Sequence, residues 1–207
     1  MTLPRMVFVA RMLLGIFYLL SGLNWFFGFL PLPSIHMPPD LPIKHQVVVE
    51  MIRTGWMYQS AKVIELAAGL ALVTNRFVPL MLALSAPVAF ITFMLDALIL
   101  DDVWGWLTGN VTTPAVLAAI GDMIIGGLCI LLLQIWLMLT YLDYYRPMLA
   151  FRAAPAYAGH NRAVAFEAAR TGTGAKSFAR TAFLGLGWIA IALQTYNLYL
   201  FVGLIGR

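Results

Sequence analysis

The 207-residue chain is 62% hydrophobic and 11% charged, with a formal net charge of +4. Ordinary soluble domains carry about 25% charged residues, so this composition excludes a soluble globular domain and reads as an integral membrane protein of one compact domain. The basic excess collects on one side of the predicted bundle, which removes nucleic-acid binding as its explanation.

A short basic start with Arg5 and Arg11 leads into the first apolar run, residues 12–30. That run has the length of a full span and ends in Trp25, Phe26 and Phe27 rather than in a small-x-small site, so it reads as a retained helix and not a cleaved signal. Ser21, Gly22 and Gly28 are small residues that let a neighbouring helix approach. Pro31, Pro33, Pro38, Pro39 and Pro42 then favour extended or turn geometry. Residues 43–56 alternate apolar and polar positions at three- and four-residue spacing. They read as an amphipathic helix on the outer membrane surface, or as a loop helix packed on protein.

The second span is predicted over 57–74, closed by a turn at Asn75 and Arg76. The third covers 77–100, with Pro79 in its first turn and Pro87 inside it as an expected kink. Residues 101–113 read as a polar loop whose Trp104 and Trp106 suit the headgroup level. Thr113 as cap and Pro114 as first residue start a fourth helix that can run to Tyr145, roughly 48 Å and longer than the bilayer core. Residues 151–180 form a basic loop, and 181–207 supply a fifth span. Arg146, Arg152, Arg162, Arg170, Lys176 and Arg180 assign that loop to the cytoplasm, which also puts the N-terminus inside and the C-terminus outside.

Five helices carry polar side chains at similar depth. Counted from the outer ends, Lys62 and Glu65 lie roughly 7 and 12 Å deep, Asn24 about 9 Å, Asp96 about 6 Å, Asp122 about 12 Å, and Gln194 and Asn197 about 16 and 12 Å. Lys62 and Glu65, three residues apart, share a helix face. A charge inside the bilayer costs several kcal/mol by most estimates, so the cluster should face protein or water. It reads either as a network that fixes helix register or as a polar pocket for a quinone head, a lipid head or a proton. Arg11, near the inner end, reads as an interfacial anchor that snorkels to phosphates. Cys129 reads as a small buried hydrophobe. His36, His45 and His160 fall outside the spans, which leaves no paired haem ligands in them, and His36, His45 and Asp40 are spaced too irregularly to read as a metal site.

Residues 11–22 (RMLLGIFYLLSG), 61–69 (AKVIELAAG) and 75–80 (NRFVPL) resemble the DoxX-like family of small bacterial membrane proteins. The resemblance covers roughly residues 1–150 and implies an all-α, polytopic helical bundle: a four-helix core to which the fifth helix is added. It further implies inner-membrane residence and redox-linked, quinone-adjacent work beside other membrane subunits. Two departures stand out: many relatives carry a histidine near the outer end of the third helix, where this chain has Asp96, and the basic loop and fifth helix are additions. The expected role is an accessory or quinone-handling subunit with no intrinsic cofactor, in contact with membrane lipids and with a quinone or lipid as its bound molecule. The alternatives are a stand-alone transporter or lipid-modifying enzyme that moves protons through the acidic layer, and a purely structural packing subunit.

Overall fold

A computed structural model describes residues 3–28, 43–149 and 176–203. Among these the chain is helical: α1 Leu3–Phe27, α2 Ile43–Arg53, α3 Met57–Thr74, α4 Val78–Asp96, α5 Leu100–Leu107, α6 Thr113–Met123, α7 Cys129–Thr140, α8 Leu142–Leu149 and α9 Lys176–Gly203. A π-helical segment, Ile124–Leu128, joins α6 to α7. Three helices are long and apolar enough to cross a membrane: Leu3–Phe27, Val78–Asp96 and the continuous Thr113–Thr140. α3 and α9 are of comparable length but are interrupted by polar residues, Gln59, Lys62 and Glu65 in one, Gln194 and Asn197 in the other.

Five long rods pack as a closed ring. α3 lies between α1 and α4, α7 follows α4, and α9 fills the gap between α7 and α1. α1 turns Met6, Ala10, Leu14 and Tyr18 inward at four-residue spacing, one stripe of a helix. They meet Ala68 and Leu72 of α3, Leu82 and Ala89 of α4, Leu133 and Leu137 of α7, and Ala190 and Ile191 of α9. Large apolar side chains such as Val63, Leu70, Leu84, Phe90, Ile135 and Ile189 stay exposed on the outside of the ring, the surface a bilayer would cover. In lipid such a bundle is held by close packing rather than by apolar burial. The α1–α3 seam shows how. A Cβ on Gly69 would lie 2.8 Å from the Gly15 carbonyl oxygen and 2.8 Å from the Leu19 nitrogen, both backbone atoms. On the far side, Trp136 donates its indole N–H to the Phe183 carbonyl at 3.0 Å and fills the space over Gly187, which fixes α9 to α7.

Several sequence expectations are corrected. The first helix starts at Leu3, a little over two turns before residue 12. The third ends at Asp96 rather than at 100, and residues 100–107, all but the first expected as loop, form α5. Asp102 falls in its first turn, where the helix dipole favours an acid, and Gly109 follows its end at φ +79°. The cap of α6 is Thr112, in extended geometry, one residue before the expected Thr113. The fourth rod breaks at Tyr141 instead of running unbroken to Tyr145. The last helix opens at Lys176, five residues ahead of 181. The proline-rich segment 31–42 and most of the basic loop, 150–175, lie outside the described residues.

Candidate functional site

The glycine seam between α1 and α3 sets up the site. A Cβ on Gly22 would stand 2.6 Å from Leu66 Cγ and 3.2 Å from the Lys62 carbonyl oxygen, so the helices touch one turn from Lys62. This closeness puts Ser21 within reach. Lys62 Nζ donates to Ser21 Oγ at 2.8 Å and to both Glu65 oxygens, at 2.8 and 3.1 Å. The lysine and glutamate side chains are only 12% and 8% exposed. Lys62 also sits 5.3 Å from the centroid of the Tyr58 ring, and Trp25 packs edge-on against that ring at 4.6 Å. Removing such a pair from water is costly unless the ammonium and carboxylate satisfy each other; here three hydrogen bonds and an aromatic face do so.

Beside the pair is a cavity of about 400 Å³, within the range of small-molecule sites. Phe17, Tyr18 and Ser21 of α1 form one side, Tyr58, Lys62 and Glu65 of α3 another, and Val88, Thr92, Leu95 and Asp96 of α4 a third. Ile130 of α7 lies at the back, while Val48 and Met51 of α2 form the remaining wall. α2 ends at a turn where Gly55 takes φ +76° and donates to the Ile52 carbonyl at 2.9 Å. The polar groups thus converge in a mostly apolar and aromatic space.

Asp96, at the last position of α4, accepts the Gly127 N–H on Oδ2 at 2.7 Å. Gly127 belongs to the π-helical segment, whose widened turn alters the usual ladder of backbone bonds; such segments are frequent at functional sites. Glycine is needed there, since a Cβ on Gly127 would lie 2.5 Å from the Phe93 Cα. Tyr18 links the cavity to a second buried network. Its hydroxyl donates to Gln134 Oε1 at 3.2 Å, and Gln134 Nε2 donates to the Leu82 carbonyl at 2.6 Å and to Ser85 Oγ at 2.9 Å.

Of the polar layer read from the sequence, Lys62, Glu65 and Asp96 share this cavity. Lys62 pairs with Glu65 and Ser21 and makes no ion pair with Asp96. The side chain of Asp122 lies outside the described residues. Asn24 and Asn197 do not line the cavity, to which α9 contributes no residue. On α9, Gln194 accepts a hydrogen bond from the Cys129 thiol at 3.0 Å, and the amide nitrogens of Gln194 and Asn197 are buried without partners. Arg11 is only 9% exposed, with its head group held by Asn75. The reading of residues one by one missed Tyr18, Tyr58, Thr92 and Gln134. Gln134 carried a signal, as the one polar residue in the apolar stretch CILLLQIWLML. Among the described residues no three metal-ligating side chains come together.

No family model matches the chain, and no curated protein and no solved structure matches it.

Proposed function

We propose that this chain is a DoxX-like protein of the bacterial inner membrane that binds the head of a quinone-type amphiphile and serves as a quinone-handling subunit of a membrane redox complex. In this reading α3 and α9 also span the bilayer, for five spans in all. The basic residues Arg5, Arg11 and Arg76 lie on the cytoplasmic side with the loop before α9. The Lys62 cavity then opens in the periplasmic half, with α5 and its exposed Trp104 and Trp106 at the outer surface.

The observation that carries the reading is the set of side chains that line the cavity. Lys62 is already matched by Glu65 at 2.8 Å, and Asp96 adds a further carboxylate to the same cavity. An anionic headgroup would face two acidic side chains, and Lys62, the one basic residue among the described lining residues, is already engaged by Glu65 and Ser21. A neutral ring with carbonyl or hydroxyl groups suits the wall better. Lys62 can share an ammonium hydrogen, Ser21 and Tyr58 supply hydroxyls, and Phe17, Leu95 and Ile130 cover the ring faces. The chain's role is to bind and orient such a head; electron transfer would belong to its partners.

A purely structural role has one observation in its favour, the Lys62–Ser21 bond that ties α3 to α1. The two readings separate on purification in mild detergent followed by solvent extraction. The quinone reading expects near-stoichiometric quinone from the wild type and its loss from a folded Lys62→Met/Glu65→Met double variant. A wild-type protein that comes off as a bare monomer, free of quinone and of any companion subunit, contradicts it.

A further inference from the structure

About 20 Å further along α3, the opposite end of the bundle has an unsolved charge. Arg11 is nine-tenths buried. Its Nη1 donates to Asn75 Oδ1, its guanidinium carbon stands 5.7 Å from the Phe8 ring centroid, and its buried Nε has no acceptor. Among the described residues no carboxylate pairs with it; the ion pairs are Arg53–Glu50 and Lys62–Glu65.

Burial of an ion costs several kcal/mol even after relaxation. Two groups offset part of that. The C-terminal end of α3 is partly negative and attracts the guanidinium. The Phe8 face attracts it as well. Neither offers Nε an acceptor, and Asn75 is neutral. The guanidinium charge is thus unbalanced among the described residues, and an anion at the Asn75 turn would balance it.

The neighbouring turn is built to receive one. Asn75 closes α3 in the left-handed conformation at φ +58° and is exposed, as is Arg76. Arg11 occupies the Asn75 oxygen, which leaves the amide nitrogen as a donor. The Arg76 side chain makes no ion pair among the described residues. The Arg11 guanidinium, the Asn75 amide that meets it and Arg76, exposed and next in sequence to Asn75, are donors of the kind that bind tetrahedral oxyanions.

We propose that Arg11, Asn75 and Arg76 form a phosphate-binding site at the end of the bundle opposite the Lys62 cavity. The phosphate can be that of an anionic lipid headgroup or free in solution, and the two sources share this chemistry.

The full-length protein is equilibrated with equimolar phosphatidylglycerol and phosphatidylcholine, and retained lipids are counted by native mass spectrometry. A parallel arm measures thermal stability with inorganic phosphate alone. A lipid site retains phosphatidylglycerol over phosphatidylcholine by about tenfold, with no response to inorganic phosphate. A free-phosphate site gives a phosphate-dependent rise in melting temperature and little lipid preference. In either case Arg11→Met abolishes the response, and Arg76→Met, at an exposed position that does not depend on the buried guanidinium for folding, weakens it. Equal retention of both lipids together with no phosphate effect overturns the proposal. So does a response unchanged in both Arg76→Met and Asn75→Ala.

Discussion

Ser21 of α1 and Lys62 of α3 are joined by a 2.8 Å hydrogen bond that exists because Gly22 lets the two helices touch. The same ammonium holds Glu65, so one side chain both ties the seam and forms a wall of the cavity. Structure and binding are therefore entangled at Lys62, and only comparison of single and double replacements separates them.

Glu65→Met alone leaves an uncompensated ammonium 12% exposed and is expected to cost about 3–5 kcal/mol. Lys62→Met/Glu65→Met removes both charges and is expected to lie within roughly 1–2 kcal/mol of the wild type, or above it. Thermal unfolding of the four proteins of this cycle in one detergent measures the coupling. A double variant as unstable as the single one would show that the pair is not the unit.

The α1–α3 seam is expected to reject any side chain at Gly69. A Cβ there meets backbone atoms of Gly15 and Leu19 at 2.8 Å, and backbone cannot rotate away. Gly69→Ala should cost about 1–3 kcal/mol and loosen the Ser21–Lys62 contact. Gly185→Ala is the control, because nothing lies within 4 Å of its added Cβ; it should be neutral or stabilising by up to about 1 kcal/mol.

Asp96→Asn keeps the shape of the side chain but weakens the bond from the Gly127 N–H, now 2.7 Å long. A loss of about 1–2 kcal/mol is expected, with faster amide hydrogen exchange at Gly127 and its neighbours in the π-helical segment. Unchanged exchange there would mean that Asp96 does not hold the segment.

Met51→Trp should fill the cavity from the α2 side. Met51 lines it but lies on a helix attached chiefly to α3. Stability should stay within roughly 0.5–1 kcal/mol of the wild type, while affinity for a radiolabelled short-chain quinone falls by about tenfold or more. Full affinity with a tryptophan at position 51 would place the ligand elsewhere.

Tyr145 of α8 donates its hydroxyl to the Pro79 carbonyl at 2.6 Å, and burial, with Tyr141 second, raises its pKa above the usual tyrosine value. The folded form therefore ionises at higher pH than the unfolded form. Its stabilising effect is complete below about pH 10 and is lost as pH rises from there through the folded value. Tyr145→Phe should be less stable than the wild type at pH 8 by about 1 kcal/mol, and the gap should shrink above pH 10. A gap that widens at high pH would reverse the assignment.

What could be read from the residues alone followed local rules. α3 matches its expected bounds, residues 57–74, because its end is marked by Asn75 in a left-handed turn, a local signal. The Lys62–Glu65 pair followed from three-residue spacing. The cavity did not, because it depends on how α1, α3 and α4 are rotated against each other, and on α2 closing one side. The expected depth of each polar residue was a distance along an axis. Asn197 shares a depth with Glu65 but belongs to α9, which faces α1 and α7. Tyr18 was hidden for a related reason: it continues the apolar stripe of Met6, Ala10 and Leu14, and its hydroxyl finds Gln134 only after 116 residues of chain. α5 was missed because its two acids and two tryptophans read as loop and interface signals, whereas Asp102 lies in its first turn, where an acid supports a helix.

The most direct measurement is a density map of the full-length protein in lipid nanodiscs with a short-chain quinone present. A ring-shaped density is expected between α1, α3 and α4, with one oxygen within hydrogen-bond distance of Lys62 Nζ and the tail leaving toward lipid. A map in which that cavity holds water or side chains alone, while quinone occupies another surface or none, contradicts the quinone reading.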